Sequence, residues 1–313
     1  MGSEMCIRDR YKEFAFRYRK DVINDMSGRA PGNGTQVAIH QLKPNLDYGW
    51  HIPFNPRGGG CGAAMRAMCI GLRYPNVYDP SCLEDLVRIS IESGRMTHNH
   101  PTDYLGSLAT ALFGAFAISG VPLKSWGSYL IKLLPHVWRY IEKVGRHVEE
   151  NEKAWNYFQD QWTKYLCLRK LETGLTEPEF PKHYDVKERD AFYKSVSFSG
   201  WGGSSGHDAP MIAYDALLAA GDDWTKLCEH GMLHGGDNDS SGVISGFCYG
   251  AMYEFKNVSD CNHKTVEKRK CLKNAGKAIF KLAKSLFDNI PNCSQDLETV
   301  YSKLFNDDSF IYP

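Results

Sequence analysis

The sequence lacks a net charge: 37 Lys and Arg offset 37 Asp and Glu over 313 residues, and the sequence pI is near 7.1. Without a basic excess there is no electrostatic reason to expect nucleic acid or an anionic membrane as a partner. A long apolar run is also missing. The best candidate, Leu105 to Val121, contains three glycines together with Ser107, Thr110 and Ser119, short of the roughly 18 apolar residues of a spanning helix. No secretory signal pattern is present. The ten cysteines form no C-x-x-C pair and follow no regular spacing, so they read as reduced cytosolic thiols that mostly pack. Internal repeats and low-complexity linkers are absent as well, which leaves one compact domain as the simplest division.

What is there is an ordinary globular composition, 42% hydrophobic and 24% charged. Apolar residues recur at helical spacing over Tyr11 to Met26, Leu83 to Ser93, Tyr104 to Ile118, Tyr129 to Val144, Trp155 to Leu171, Ala209 to Ala219, Val243 to Phe255 and Val266 to Phe287. Trp155, Phe158, Trp162, Tyr165 and Leu166 fall on one helical face. Strand-like alternation is scarce, clearest at Ser195 to Ser199, so an all-α fold is expected. Gly- and Pro-rich connections are expected over Gly28 to Gly34, Pro53 to Gly62, Glu92 to Gly106, Thr173 to Lys187 (a surface loop) and Ser199 to Gly206.

Four stretches carry the chemistry. In His234-Gly235-Gly236-Asp237-Asn238-Asp239-Ser240-Ser241-Gly242, carboxylates at i and i+2 on a regular helix would point about 200° apart, so Asp237 and Asp239 converge only if a loop presents them. Gly235 and Gly236 permit one, and Ser240 or Ser241 is placed to cap the following helix. The two aspartates with the Ser240 hydroxyl then suit one hard cation. The same residues also read as a plain helix N-cap with acids favoured by the dipole, and spacing leaves both open. An EF-hand is excluded because its twelfth position, counted from Asp237, is Cys248 rather than a bidentate Glu. Gly200 to Asp208 is a glycine loop before a helix start, suited to phosphate or diphosphate but lacking a Walker lysine. Its Gly202-x-Ser204-x-Gly206 also fits a nucleophile elbow, but the chain lacks the alternating strands which that fold needs. His98 and His100, in Glu92 to Pro101, have no further zinc ligands at a recognisable spacing. The glycines of Gly58 to Gly62 allow close approach of a ligand or of a helix, and Cys61 has no nearby activating His.

Together Gly60 to Met68, Glu92 to Pro101, Ser199 to Pro210 and His234 to Ser240 resemble the ADP-ribosylglycohydrolase superfamily, in particular its animal ADP-ribosylarginine hydrolases. The resemblance implies an all-α orthogonal helical bundle and hydrolysis of the N-glycosidic bond between ADP-ribose and an arginine side chain at a two-Mg²⁺ centre, with Mn²⁺ as a possible substitute. By position, Asp237, Asp239 and Ser240 are the implied metal ligands, and Asp237 and Asp239 the implied catalytic carboxylates. Gly60, Cys61, Gly62, Arg95, His98, Phe198, Ser199, Trp201, Ser204, Ser205, Gly206 and His207 are the implied ADP-ribose contacts. ADP-ribosylated proteins and ADP-ribose are the expected partners, with no nucleic acid and no membrane, and a cytoplasmic monomer is expected.

Two departures qualify this. Residues 1–10 read as a sequencing-adapter scar, because Met5-Cys6-Ile7-Arg8-Asp9 back-translates to a transposon-end sequence, so the domain is expected to occupy 11–313. The superfamily's second acidic cluster, of Asp-Asp-Thr type near the N-terminus, does not occur. The expectation is therefore an N-terminally truncated copy with half of a metal site; the alternative is a non-catalytic ADP-ribose-binding protein of the same fold.

Overall fold

A computed structural model describes residues 2–25, 32–291 and 297–306, with side chains from residue 11 onward and Asp25 excepted. Met26, most of the Gly28–Gly34 connection and residues 307–313 lie outside the described residues. Among the described residues the chain forms fourteen α-helices: α1 (Gly2–Asp25), α2 (Asn33–Gln41), α3 (Met68–Arg73), α4 (Pro80–Arg95), α5 (Pro101–Ser119), α6 (Trp126–Val144), α7 (Val148–Arg169), α8 (Val186–Val196), α9 (Asp208–Ala220), α10 (Trp224–Leu227), α11 (Asn238–Tyr253), α12 (Asp260–His263), α13 (Arg269–Asp288) and α14 (Leu297–Asn306). The all-α expectation holds. None of these helices is long and apolar enough to cross a membrane.

The bundle is organised around α5. Apolar on all sides, this helix belongs at the centre of a core rather than on its surface, and Tyr104, Leu105, Leu108, Leu112, Phe113 and Phe116 are wholly buried. Pro101 sits at its first position, where a missing N–H is harmless, and the His100 ring accepts from Thr102 N at 3.2 Å; Gly120, at φ 69°, ends it. Around it pack α3, α4, α6, α7, α9 and α11. The aromatic face read from α7 is where the spacing placed it, with Trp162 against Phe113 and Tyr214, Tyr165 against Tyr214, and Phe158 buried beside Trp162.

Three local readings are corrected. The alternating run Ser195 to Ser199 is no strand: Val196 is the last residue of α8, Ser197 is extended, and Phe198 projects to solvent with no strand to pair with. Among the described residues the one β-type pairing is an isolated antiparallel bridge between Gly60 and Ser205. The connection Glu92 to Gly106 shrinks to Met96–His100, because α4 runs on through Arg95 and Pro101 starts α5 at once. Finally, α8 begins at Val186, inside the expected loop Thr173 to Lys187.

That loop is pinned to the core. Buried Asp215 on α9 pairs with Arg169 Nε at 2.7 Å and accepts from the hydroxyls of Tyr165 (3.0 Å) and Tyr184 (2.6 Å). The Arg169 guanidinium lies over the rings of Phe180 and Phe192. The carboxylate holds the guanidinium's pKa up against the downward push of burial. Removing one partner of such a pair strands the other's charge in the core. Asp215→Ala should therefore cost about 3–5 kcal/mol, read as a drop in unfolding free energy by urea titration, with proteolytic nicking within residues 173–185.

Candidate functional site

Three glycine loops meet where α5, α9 and α11 begin. Cys61 N donates to Ser204 O at 3.0 Å and Gly206 N to Gly59 O at 2.9 Å, on either side of the Gly60–Ser205 bridge; Asp237 N donates to Gly202 O at 2.8 Å, tying the third loop to the second. The glycines are required by these contacts. A Cβ on Gly206 would run into Thr102 O, one on Gly106 into Gly206 O, and one on Gly236 into Gly202 O. Gly203, at φ 91°, faces Asp237 O in the same way. The close approach read from the sequence is thus an approach of backbone to backbone. The amides of Cys61, Ser205 and Gly206 donate within the protein, so the loops shape this corner by their packed conformation rather than by a row of free N–H groups.

Asp237 and Asp239 do converge, but not from a shared loop. Asp237 is the non-helical residue before α11 (φ −79°, ψ 75°), whereas Asp239 lies in its first turn, and that break in conformation brings their side chains into hydrogen-bonding contact. Burial and then the neighbouring Asp239 push the Asp237 pKa up to about 6. Ser240 Oγ donates to Asp237 Oδ1 at 3.2 Å instead of capping the helix. Ser241, the other expected cap, donates to Gly231 O at 2.9 Å and lies 2.7 Å from His234 Nε2. Cys61 closes the cluster, its Sγ 3.5 Å from Asp237 Oδ2 and 3.3 Å from Ser240 Oγ. Burial pushes the thiol up to about 12, so it stays protonated and is no nucleophile. Hard oxygens and mutual carboxylate repulsion suit a divalent cation here. Among the described residues, however, no group of three or more His, Cys, Asp or Glu is arranged to hold one.

The other expected residues divide into a rim and a supporting layer. Phe198, Ser199 and Trp201 are exposed, and the Tyr157 ring lies edge-on to both Phe198 (6.0 Å) and His207 (5.1 Å). The His98 ring rests on Gly62, where a Cβ would come within 2.7 Å of Nε2, while Nδ1 shares a hydrogen with the Thr97 hydroxyl at 2.7 Å. Burial, helped by Arg66, lowers its pKa to about 3 and keeps it neutral. Ser204 Oγ donates back to Trp201 O at 2.8 Å. Arg95 and His207 stand apart from this rim. Arg95 is 1% exposed, paired with Glu92 at 3.3 Å and donating to Asn99 Oδ1 and Arg146 O. His207 is wholly buried, its Nε2–H donating to Val196 O at 3.2 Å, and it makes no capping bond to α9. Both hold structure behind the site.

Two carboxylates were missed. Asp103, in the first turn of α5, faces the backbone N–H groups of Gly59 and Gly60, and burial pushes its pKa up to about 8. Asp208, the first residue of α9, accepts from Ser205 N at 2.8 Å and is pushed up to about 7. In sequence each reads as an acid at a helix start, and only that position hinted at them.

Comparison with known proteins places this site in context. A family model described as ADP-ribosylglycohydrolase matches residues 3–295. The chain is 42% identical to ADP-ribosylhydrolase ARH1 of Dictyostelium discoideum, over 86% of this chain and 73% of that protein. It is 30% identical to a protein of Acanthamoeba polyphaga mimivirus named as an ADP-ribosyl glycohydrolase, over 79% of this chain and 48% of that one. Identity to ADP-ribosylhydrolase ARH3 of Xenopus tropicalis is 25%, over 59% of this chain and 49% of that protein.

Two outcomes test the packing. Gly203→Val places a β-branched side chain at positive φ against the Asp237 carbonyl, and should lower unfolding free energy by about 2–3 kcal/mol in urea titration. His207, with its pKa lowered by burial to about 4, binds fewer protons folded than unfolded below about pH 6.5. Its burial therefore costs stability progressively as pH falls from 6.5 toward 4. His207→Gln keeps a donor for Val196 O and removes that dependence. Relative to the variant, the parent should lose about 2 kcal/mol between pH 7.5 and pH 5, read from unfolding curves at each pH.

Proposed function

The chain belongs to the ADP-ribosylglycohydrolase family, and from that premise we propose that it hydrolyses the N-glycosidic bond joining ADP-ribose to an arginine side chain, with Mg²⁺ or Mn²⁺ as cofactor. The observation that carries the proposal is the convergence of Asp237, Asp239, Ser240 and Cys61 beside the bridged glycine loops. Asp237, Asp239 and the Ser240 hydroxyl are the residues that would hold the cation, which would supply charge to fix ribose hydroxyls and activate water. The chain's own residues do the rest. Gly60 to Gly62, Ser204 to Gly206 and the His98 ring would line the binding site for the diphosphate and ribose, with the exposed Phe198 and Trp201 offering flat apolar faces to a ring of the ligand. A carboxylate of the Asp237–Asp239 pair accepts the proton of the attacking water as C1–O forms and C1–N breaks with oxocarbenium character, and the proton passes to the departing guanidine, leaving free ADP-ribose and arginine. Cys61 stays a neutral donor to Asp237.

A second reading, ADP-ribose binding without turnover, is favoured by one observation: no three-ligand group is assembled among the described residues. Release of free ADP-ribose from ADP-ribosylated arginine, with Mg²⁺ and with EDTA, separates the two. The enzyme reading expects turnover that EDTA abolishes and that Asp239→Asn lowers by at least 100-fold. An O-linked ADP-ribosyl serine substrate tests the linkage in the same assay, and equal rates on both would refute arginine selectivity. Tight ADP-ribose binding with no release under either condition would leave the binding reading standing.

A further inference from the structure

Resting on the ADP-ribose reading above, we propose that Asp103 and Asp208 are positioning residues of the ligand cleft, one carboxylate behind each strand of the Gly60–Ser205 bridge, fixing the loop backbone that the ligand meets. Asp103 rises from the first turn of α5 beneath residues 58–60; it faces the N–H groups of Gly59 and Gly60, and a Cβ on Gly58 would lie 2.7 Å from its Oδ2. Asp208 opens α9 beneath residues 198–205. It accepts from Ser205 N at 2.8 Å and faces the N–H groups of Phe198 and Gly203. Between them the two acids face five backbone donors of the two bridging loops, Ser205 N at hydrogen-bonding distance.

A helix start alone does not account for this pair. An exposed acid serves the helix dipole as well and keeps its hydration, yet Asp103 is 1% exposed and Asp208 wholly buried. Each leaves one carboxylate oxygen, Asp103 Oδ1 and Asp208 Oδ2, buried without a hydrogen-bond partner among the described residues, which is costly for any polar group and more so for an ionised one. Burial raises both pKa values, to about 8 and about 7, against the opposing pull of the loop amides. Enclosing these acids is thus expensive to the fold, ionised or protonated; what it secures is the loop conformation. Because Cys61 and Gly206 use their amides in the bridge itself, the ligand has few free N–H groups to pull the loops into shape. The fit must exist beforehand, and preorganisation is what an acceptor behind each strand provides.

The test compares Asp103→Leu and Asp208→Leu, which fill the volume without an acceptor, with Asp103→Asn and Asp208→Asn, which retain one, all in the full 313-residue chain. Two quantities are measured: amide hydrogen exchange at residues 59, 60, 203 and 205 without ligand, and ADP-ribose affinity by calorimetry. The Leu variants should keep the parent's helical content and thermal midpoint or exceed it, exchange faster at those four amides, and bind ADP-ribose at least 10-fold more weakly. The Asn variants should stay within threefold of the parent. Should a Leu variant fail to fold, the Ala variant at that position is read by the same two measurements. Unchanged exchange, or unchanged affinity despite faster exchange, overturns the proposal; Asn variants as weak as Leu would make charge, not geometry, the cause and also overturn it. If the parent itself fails to bind ADP-ribose while exchange responds as expected, the ADP-ribose reading falls and the ligand role with it, leaving a loop clamp alone.

Discussion

The contact on which this site depends is backbone against backbone. Gly206 lies on Thr102, Gly106 beneath Gly206, Gly236 on Gly202 and Gly203 on the Asp237 carbonyl, so three loops and the starts of three helices share one small volume with no side chains between them. Removing the Cβ atoms allows chain segments far apart in sequence to approach to hydrogen-bonding distance. The cost is backbone freedom lost on folding and polar groups that must find partners away from water. Both demands are met by the same device, in which the loops bond to one another and to carboxylates at the helix starts.

That arrangement explains why the acids differ so much in environment. Asp103 and Asp208 are enclosed under the loops, whereas Asp237 is half-buried and Asp239 exposed at the open end of α11. An enclosed carboxylate can direct amides but cannot meet a ligand; a partly exposed one can take a cation or a proton. One corner of the bundle thereby separates enclosed acids from ones that water can reach. Away from the site, the Asp215–Arg169 pair and the Glu92–Arg95–Arg146 group hold loop and helix ends by the same logic of buried, paired charge.

Local, repeated signals in the chain carry over directly into structure. The all-round apolar helix α5 and the aromatic face of α7 follow from composition and spacing over five turns or more, and the His-Gly-Gly-Asp-x-Asp-Ser run marks the two acids at the start of α11. Single residues and missing partners break that correspondence. The alternation at Ser195 to Ser199 has the strand period but no partner strand, so the backbone finishes a helix and turns instead. Pro101 shortened the Met96–His100 connection by starting α5 at once.

The all-α class, the position of most core helices and the closely spaced acids of residues 237–239 are legible in the chain alone, because periodicity and short-range spacing are local properties. Which of those residues meet is set by packing. It brought Cys61 to Asp237 across 176 positions and Gly60 to Ser205 across 145, buried Arg95 and His207 behind the site, and disclosed Asp103 and Asp208 beneath the loops. The reason is physical: a glycine in sequence states that something comes close, but what comes close, and whether an acid is enclosed or open to water, depends on how distant helix ends pack.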